Sequence, residues 1–468
     1  MSPSLYDSLF PPAAQRTQFA TGEIPVTVYG LGKMGLPLAA VYADHTGNVT
    51  GVDIDDAVVE RVNAGDCPVQ GEPGLPELVA DLVAADALTA TTESRRAAAE
   101  ATLHVVMVPT LVDDQNNPDL SAVESVVHDI ASGLEPGDVV VFESTLPPGA
   151  TRDVLEPLLV AESDLADDCF GIAVCPERTS SGRALADIRG THPKVVGGVD
   201  AESGRVAELL YGELVDNEIV SVPSATAAEA VKVFEGLYRD VNIALANDLA
   251  QLTDELGIDV RAAIDAANTQ PYCDIHTPGP GVGGHCIPYY PYFVLNWLDG
   301  SPRTLATARD VNDAMPAFVV DRVAEGLAVA HELDERTWAA DGGDPSTADP
   351  TEVLDDATVA VLGLTYRAGV KETRASPGID ICETLADRGA TVLAADPLVN
   401  ADGLDATDVP VDELPAHEPD AVVLATAHEA FEALDWTAVP PTVVVDSRDV
   451  LNLEHTDHRQ YTIGRGWR

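Results

Sequence analysis

The chain has 468 residues, with 78 acidic against 26 basic side chains and a formal net charge of −52. The acidic residues are spread along the whole length, which excludes nucleic acid and anionic membrane as partners held by general electrostatics and reads as a salt-adapted, hydrated surface. No apolar run of about 18 residues and no basic-then-apolar leader stands in it, so a soluble, cytoplasmic protein is expected.

Residues 1–24 are polar and Pro-containing and read as an N-terminal extension. Residues 25–30 form an apolar strand pattern, followed by a glycine-rich turn, a helix over 36–44 and a second strand near 48–53. The turn is Gly30-Leu31-Gly32-Lys33-Met34-Gly35, and Asp53 ends the next strand, 18 residues beyond the last glycine. Glycines at this spacing allow a tight turn, close approach of a pyrophosphate and packing of helix on strand. The helix N-terminus offers N–H groups to phosphate, and an acidic residue at Asp53 accepts from ribose hydroxyls, favouring NAD over NADP. The apolar runs 103–108, 138–142, 171–175 and 194–197 suit parallel strands, so 25–205 reads as a doubly wound NAD-binding domain.

Over 206–330 the pattern turns helical. Residues 226–256 carry apolar side chains at helical spacing without Pro, as a spine helix and a candidate dimer interface would. Within this region lies Gly281-Val282-Gly283-Gly284-His285-Cys286-Ile287-Pro288. A cysteine in a glycine-dense turn is either a nucleophilic thiolate beside a ligand or an inert buried thiol. The six Cys form no CxxC pair and no zinc-type spacing, which points to free thiols and no metal. Lysine is scarce, at Lys33, Lys194, Lys232 and Lys371 only, so each retained lysine is a functional candidate. Residues 331–356 read as an acidic linker, and strands at 357–363, 391–395, 420–425 and 442–446 open a second α/β unit over 357–468. The expected architecture is α/β, with two Rossmann-like doubly wound domains joined by a helical central domain.

Ordered motifs then carry a family resemblance. They are Val108-Pro109-Thr110, Glu143-Ser144-Thr145-Leu146-Pro147-Pro148-Gly149, Cys175-Pro176-Glu177-Arg178, Ala228-Glu229-Ala230-Val231-Lys232 and Arg239-Asp240-Val241-Asn242. The Cys286 turn, Gly363-Leu364-Thr365-Tyr366-Arg367, Arg374-Ala375-Ser376-Pro377 and Asp396-Pro397 complete the set. Together they resemble the UDP-glucose/GDP-mannose dehydrogenase family. Pro-Glu-Arg and Gly-Val-Gly-Gly-His-Cys look like its branch acting on UDP-N-acetylhexosamines, notably UDP-N-acetyl-D-mannosamine. UDP-N-acetylglucosamine and UDP-glucose are the alternative substrates, and a non-catalytic nucleotide-sugar binder is the alternative of another class.

The resemblance implies NAD-dependent oxidation of a sugar C6 alcohol to a carboxylate, with the UDP half bound by the C-terminal domain and a dimer or dimer-based oligomer. It assigns Cys286 as nucleophile and Lys232 as the catalytic lysine that stabilises the developing oxyanion or exchanges the C6 proton, with Glu177 and Thr145 as groups that order water or contact cofactor and substrate, Glu177 also assisting thioester hydrolysis. It places NAD against Gly30, Leu31, Gly32, Met34, Gly35, Asp53, Thr110 and Thr145. It places the UDP-sugar against Arg178, Thr179, Lys232, Gly236, Arg239, Gly283, Tyr366, Arg367, Arg374 and Arg448. His285 adjoins Cys286 in sequence, which does not by itself make it the thiol's activator. Two departures stand out: Gly236 where the family carries Asn, and Tyr290 where it carries Asp. Gln270-Pro271-Tyr272 replaces the branch's His-x-Arg, and Arg367 replaces a Lys.

Overall fold

The computed structural model describes residues 4–179, 182–300, 302–338, 352–355 and 357–468. It divides into two compact units: the first runs to Glu235 and takes in Tyr292–Asp299, and the second holds Gly236–Pro291 and continues from Gly300.

The first unit is built on an eight-stranded sheet, with a small antiparallel ribbon beside it. Its strands are β1 (Val26–Tyr29), β2 (Val49–Val52), β3 (Leu88–Thr91) and β4 (Leu103–Val106), the ribbon strands β5 (Leu111–Val112) and β6 (Pro118–Asp119), then β7 (Val139–Phe142), β8 (Gly171–Val174), β9 (Lys194–Gly198) and β10 (Ile219–Ser221). The sheet order is β10-β9-β8-β7-β4-β1-β2-β3. Strands β1, β4, β7 and β8 are buried at every position, which is why they read as mostly apolar runs, broken only by Thr27 and His104, and not as alternating patterns.

The expectation of parallel strands fails at one junction, because β8 and β9 pair antiparallel. The described residues between them hold only short helical pieces at Ala184–Ala186 and Asp187–Thr191. A parallel return needs a full crossover, which this segment does not supply. The N-terminal residues are also more than an extension. Pro12–Ala20 is a helix, Leu5, Phe19 and Ile24 are fully buried, and the Leu5 and Tyr6 N–H groups both donate to Gly137 O at 2.9 Å.

The second unit has a seven-stranded sheet of β11 (Thr358–Leu362), β12 (Thr391–Ala395), β13 (Thr407–Asp408), β14 (Ala421–Leu424), β15 (Val443–Asp446), β16 (Arg459–Thr462) and β17 (Gly466–Trp467). Its order is β13-β12-β11-β14-β15-β16-β17, and only β16 and β17 pair antiparallel. The long helix Ala225–Gln251 contributes to both units, and a short helix, Thr253–Leu256, follows it. Helix Arg303–Trp338 is continuous through 331–338, where a linker was expected. Residues 339–351 of that linker lie outside the described residues.

A buried polar ladder ties the two helices together within the second unit. Arg309 Nη1 donates to Asp240 Oδ1 at 2.6 Å, Asn312 Nδ2 to the same oxygen at 2.9 Å, and Asn247 Nδ2 to Asn312 Oδ1 at 3.0 Å. Asn247 Oδ1 then accepts from Gly279 N at 2.9 Å, so the ladder also fixes the approach to the Cys286 turn. The pairing offsets part of the desolvation cost of the buried charges, although burial still raises the Asp240 carboxyl above its ordinary value. No described helix is long and apolar enough to cross a membrane.

Candidate active site

In the first unit the expected cofactor residues gather at the carboxyl ends of the parallel strands, where open α/β sheets bind ligands. Gly30 follows β1 at φ 94°, and a Cβ there would collide with Met107 O. A Cβ on Gly35 would collide with Gly30 O, so this glycine sets the helix Gly35–Thr46 tight against the turn. Gly32 is different: nothing lies within 4 Å of its Cβ direction, which leaves open space at the tip of the loop. Met34 begins the helix without a side-chain cap. Asp53 Oδ2 accepts from Leu31 N at 2.8 Å and its Oδ1 from Asp55 N at 3.0 Å, so the acid fixes the loop beside the place where a ribose would sit. Thr110 Oγ1 is a buried hydroxyl with no partner among the described residues. An open cradle and an orphaned hydroxyl fit NAD. The glycine loop and helix N-terminus would hold its pyrophosphate, Asp53 its ribose and Thr110 its nicotinamide side.

The catalytic candidates of this unit stand next to that loop. Lys232, half-buried on the long helix, places Nζ 3.6 Å from Glu177 Oε2. Glu177 Oε1 accepts from Thr179 N, and Thr179 Oγ1 meets Met34 Sδ of the glycine loop at 3.0 Å. Thr145 is half-buried just beyond β7. Arg178 turns inward, with Nη2 2.6 Å from Glu235 Oε1 and Nη1 donating to Pro193 O at 2.9 Å.

Beneath these residues lies a support that the sequence did not disclose. Glu143 is fully buried and receives Lys194 Nζ at 2.6 Å and the Tyr211 hydroxyl, while Lys194 lies 4.6 Å from the centre of the Tyr211 ring. Glu143 O accepts from Glu177 N at 3.1 Å, which fixes the start of the Glu177–Thr179 loop. Lys194, a functional candidate by scarcity, is thus half of a buried ion pair. Burial pushes the neighbouring Cys175 thiol well above its ordinary range, which makes it unreactive.

Glu229 is the clearest omission of the sequence reading. It is buried one turn before Lys232, and its carboxylate accepts from Gly149 N at 2.6 Å and Thr151 N at 2.8 Å. Burial raises this carboxyl above its ordinary value even though the Thr151 and Gly149 bonds pull it down. Its place in the Ala228–Lys232 motif was the available signal. Glu229→Ala orphans two buried N–H groups and is expected to lower the unfolding free energy by about 2–4 kcal/mol in urea titrations. A change below about 0.5 kcal/mol would show that the two bonds hold nothing.

In the second unit Cys286 is exposed, against the alternative of a buried thiol, and all six cysteines are free. Its turn packs on the loop after β11. A Cβ on Gly283 would stand 2.5 Å from Ala375 O and 2.8 Å from Tyr366 Cβ, and Gly284 N donates to Arg374 O at 2.9 Å. Gly283, Cys286, Tyr366 and Arg374 are therefore brought together. Burial raises the Tyr366 phenol above its usual value; Arg367 opposes this, and Cys286 and Glu372 add to it. His285 Nε2 lies 3.1 Å from Glu372 Oε2, which gives that ring nitrogen a partner other than the thiol.

The first turn of this domain repeats the construction of the NAD turn. Asp396 Oδ2 accepts from Leu364 N at 2.8 Å, as Asp53 does from Leu31, and a Cβ on Gly378 would collide with Gly363 O. Arg448 Nε donates to Ala425 O at 2.7 Å, and burial, then repulsion from Arg261, lowers its guanidinium to about 10, still charged at neutral pH. Arg239, Arg367 and Arg374 are exposed and form no ion pair among the described residues. No group of three metal-ligating side chains occurs among the described residues.

Comparison with known proteins matches this division of labour. Residues 24–215 match the NAD binding domain of the UDP-glucose/GDP-mannose dehydrogenase family, 226–314 its central domain and 360–453 its UDP binding domain. A Ralstonia nicotianae protein named NDP-N-acetyl-D-galactosaminuronic acid dehydrogenase is 34% identical over 433 residues, 90% of this chain and 95% of that protein. The UDP-N-acetyl-D-mannosamine dehydrogenase of Pyrococcus horikoshii is 32% identical over 449 residues, 94% of this chain and 99% of that protein. A solved UDP-D-ManNAc dehydrogenase structure from Pyrococcus horikoshii superposes with TM-score 0.81 at 31% identity, covering 95% of this chain and 100% of that one.

Proposed function

The chain belongs to the UDP-glucose/GDP-mannose dehydrogenase family and is an NAD-dependent nucleotide-sugar dehydrogenase; we propose that it oxidises the C6 hydroxyl of UDP-N-acetyl-D-mannosamine to the uronate, an aminouronate for surface polysaccharide or glycoprotein glycans. The exposed Cys286 thiol in its glycine turn is the observation that carries this reading. NAD, when bound, accepts a hydride in each of the two oxidation steps. Cys286 Sγ bonds to the C6 aldehyde carbon and gives a thiohemiacetal. Oxidation of that adduct, with loss of its hydroxyl proton, leaves a thioester, and water breaks the C–S bond to release carboxylate and thiol.

In this reading the Lys232 ammonium stabilises charge developing on the C6 oxygen. Glu177, 3.6 Å from it, takes a proton from the hydrolytic water, which Thr145 helps to order. Arg367, Arg374 and Arg448, together with Tyr366 and Gly283, carry the UDP half, for which the guanidinium fork suits a diphosphate. Arg178, Thr179 and Arg239 bind the sugar, and Gly236, expected with them, lies buried under the Tyr290 ring.

The name of the Pyrococcus horikoshii relative supports mannosamine, and the Ralstonia relative's name makes the galacto series a substrate to compare. A panel of UDP-N-acetyl-mannosamine, -glucosamine and -galactosamine and UDP-glucose, assayed for NADH in molar KCl, tests the choice. The highest kcat/KM is expected with the mannosamine; a higher value with another sugar reassigns the substrate, and no NADH with any of them leaves a non-catalytic binder.

A homodimer is part of the same reading. Phe234, Tyr238 and Leu245 are exposed along one helix, and Tyr272 is 93% exposed, a set of apolar side chains suited to a second copy. Light scattering is expected to give twice the 49.1 kDa chain mass, and the single-chain mass would refute it.

A further inference from the structure

The two departures at 236 and 290 meet in space. A Cβ on Gly236 would collide with Tyr290 Cδ2 and stand 3.1 and 3.2 Å from its Cγ and Cβ. The Tyr290 ring therefore lies against bare backbone of the long helix, and no side chain at 236 can coexist with it in this position. Tyr290 is buried, 7% exposed, and its N–H donates to Cys286 O at 2.9 Å, as does that of Tyr289 at 3.1 Å. The residue whose ring rests on the helix is thus hydrogen-bonded to the residue that bears the exposed thiol.

We infer that Gly236 and Tyr290 form one interlocked pair, in which the ring of Tyr290, seated on Gly236, is the positioning device for the Cys286 turn. The loss of a side chain at 236 and the gain of a ring at 290 are a single exchange. The ring is the part of the side chain that seats on Gly236. What the pair sets is the exposure and direction of Sγ, so its effect falls on reactions of the thiol and not on NAD binding.

The test uses the full chain in molar KCl, with Gly236→Ala, Tyr290→Ala, Tyr290→Phe and the double variant Gly236→Ala/Tyr290→Ala. Two readouts are taken: the site-resolved rate of Cys286 alkylation by iodoacetamide, and kcat with KM for NAD. The turnover readout rests on Cys286 being the nucleophile, whereas the alkylation readout does not, so failure of the proposed function and failure of the pair are told apart. Tyr290→Phe is expected to stay within about twofold of wild type, while Gly236→Ala and Tyr290→Ala each change the alkylation rate and lower kcat by about tenfold or more, with KM for NAD unmoved. The double variant is expected to resemble Tyr290→Ala alone, the signature of residues that act as a unit. Single effects that multiply in the double variant, or a Gly236→Ala protein that alkylates and turns over like wild type, would overturn the inference. Should Gly236→Ala fail to fold, recovery of folded protein on adding Tyr290→Ala supports the interlock, and no recovery refutes it.

Discussion

Cys286→Ser is expected to lower uronate formation by at least about 10³-fold, close to 4 kcal/mol of barrier, while NAD binding is retained. A thiol supplies an appreciable thiolate fraction near neutral pH, and a serine hydroxyl in the same exposed turn supplies almost no alkoxide. The substitution is nearly isosteric, and Cys286 makes no packing contact that would carry the fold: its side chain is exposed, and the Tyr289 and Tyr290 bonds go to its backbone carbonyl. Loss of turnover with an unchanged unfolding midpoint therefore reports chemistry. Rapid quench with mass analysis is the check: the wild-type protein should accumulate a sugar adduct on the Cys286 peptide, and the serine variant none. Turnover retained at the wild-type rate would remove the covalent route.

Lys232→Met is expected to lower kcat by about 10²–10³-fold, the cost of losing one preorganised group at a developing oxyanion. It also takes a charged partner from Glu177, since Nζ and Oε2 are 3.6 Å apart. Methionine keeps the length of the side chain and the helix propensity, so the change isolates the charge. KM for NAD should move little, because the glycine loop and Asp53 are untouched. A rise in KM for the sugar with kcat unchanged would instead mark Lys232 as a ground-state binding group.

Much of this arrangement was legible in the sequence wherever the signal was local. The glycine turn and Asp53 are read from spacing within one βαβ unit, and the structure returns them with Leu31 N held on the Asp53 carboxylate at 2.8 Å. Buried parallel strands announced themselves because their residues are mostly apolar. Long-range pairings left no such mark. Glu177 and Lys232 are far apart in the chain, and so are Glu143 and Lys194, so the scarcity argument singled out both lysines and could not tell the catalytic candidate from the buried ion-pair partner. Glu229 was visible only as part of a motif. The N-terminal helix escaped because its buried positions are Phe19 and the polar Gln15, too few to show a period. The antiparallel β9 escaped because strand direction is set by the crossover, not by the strand's own residues. The Gly236 and Tyr290 departures were conspicuous singly, and only the fold joins them.

The ratio of NADH formed to sugar consumed separates a four-electron oxidation at C6 from a two-electron one. With limiting UDP-N-acetyl-D-mannosamine, excess NAD and molar KCl, the reaction run to completion should yield two NADH and one uronate for each sugar consumed. One NADH per sugar with free aldehyde as the product, or none at all, would contradict the four-electron oxidation.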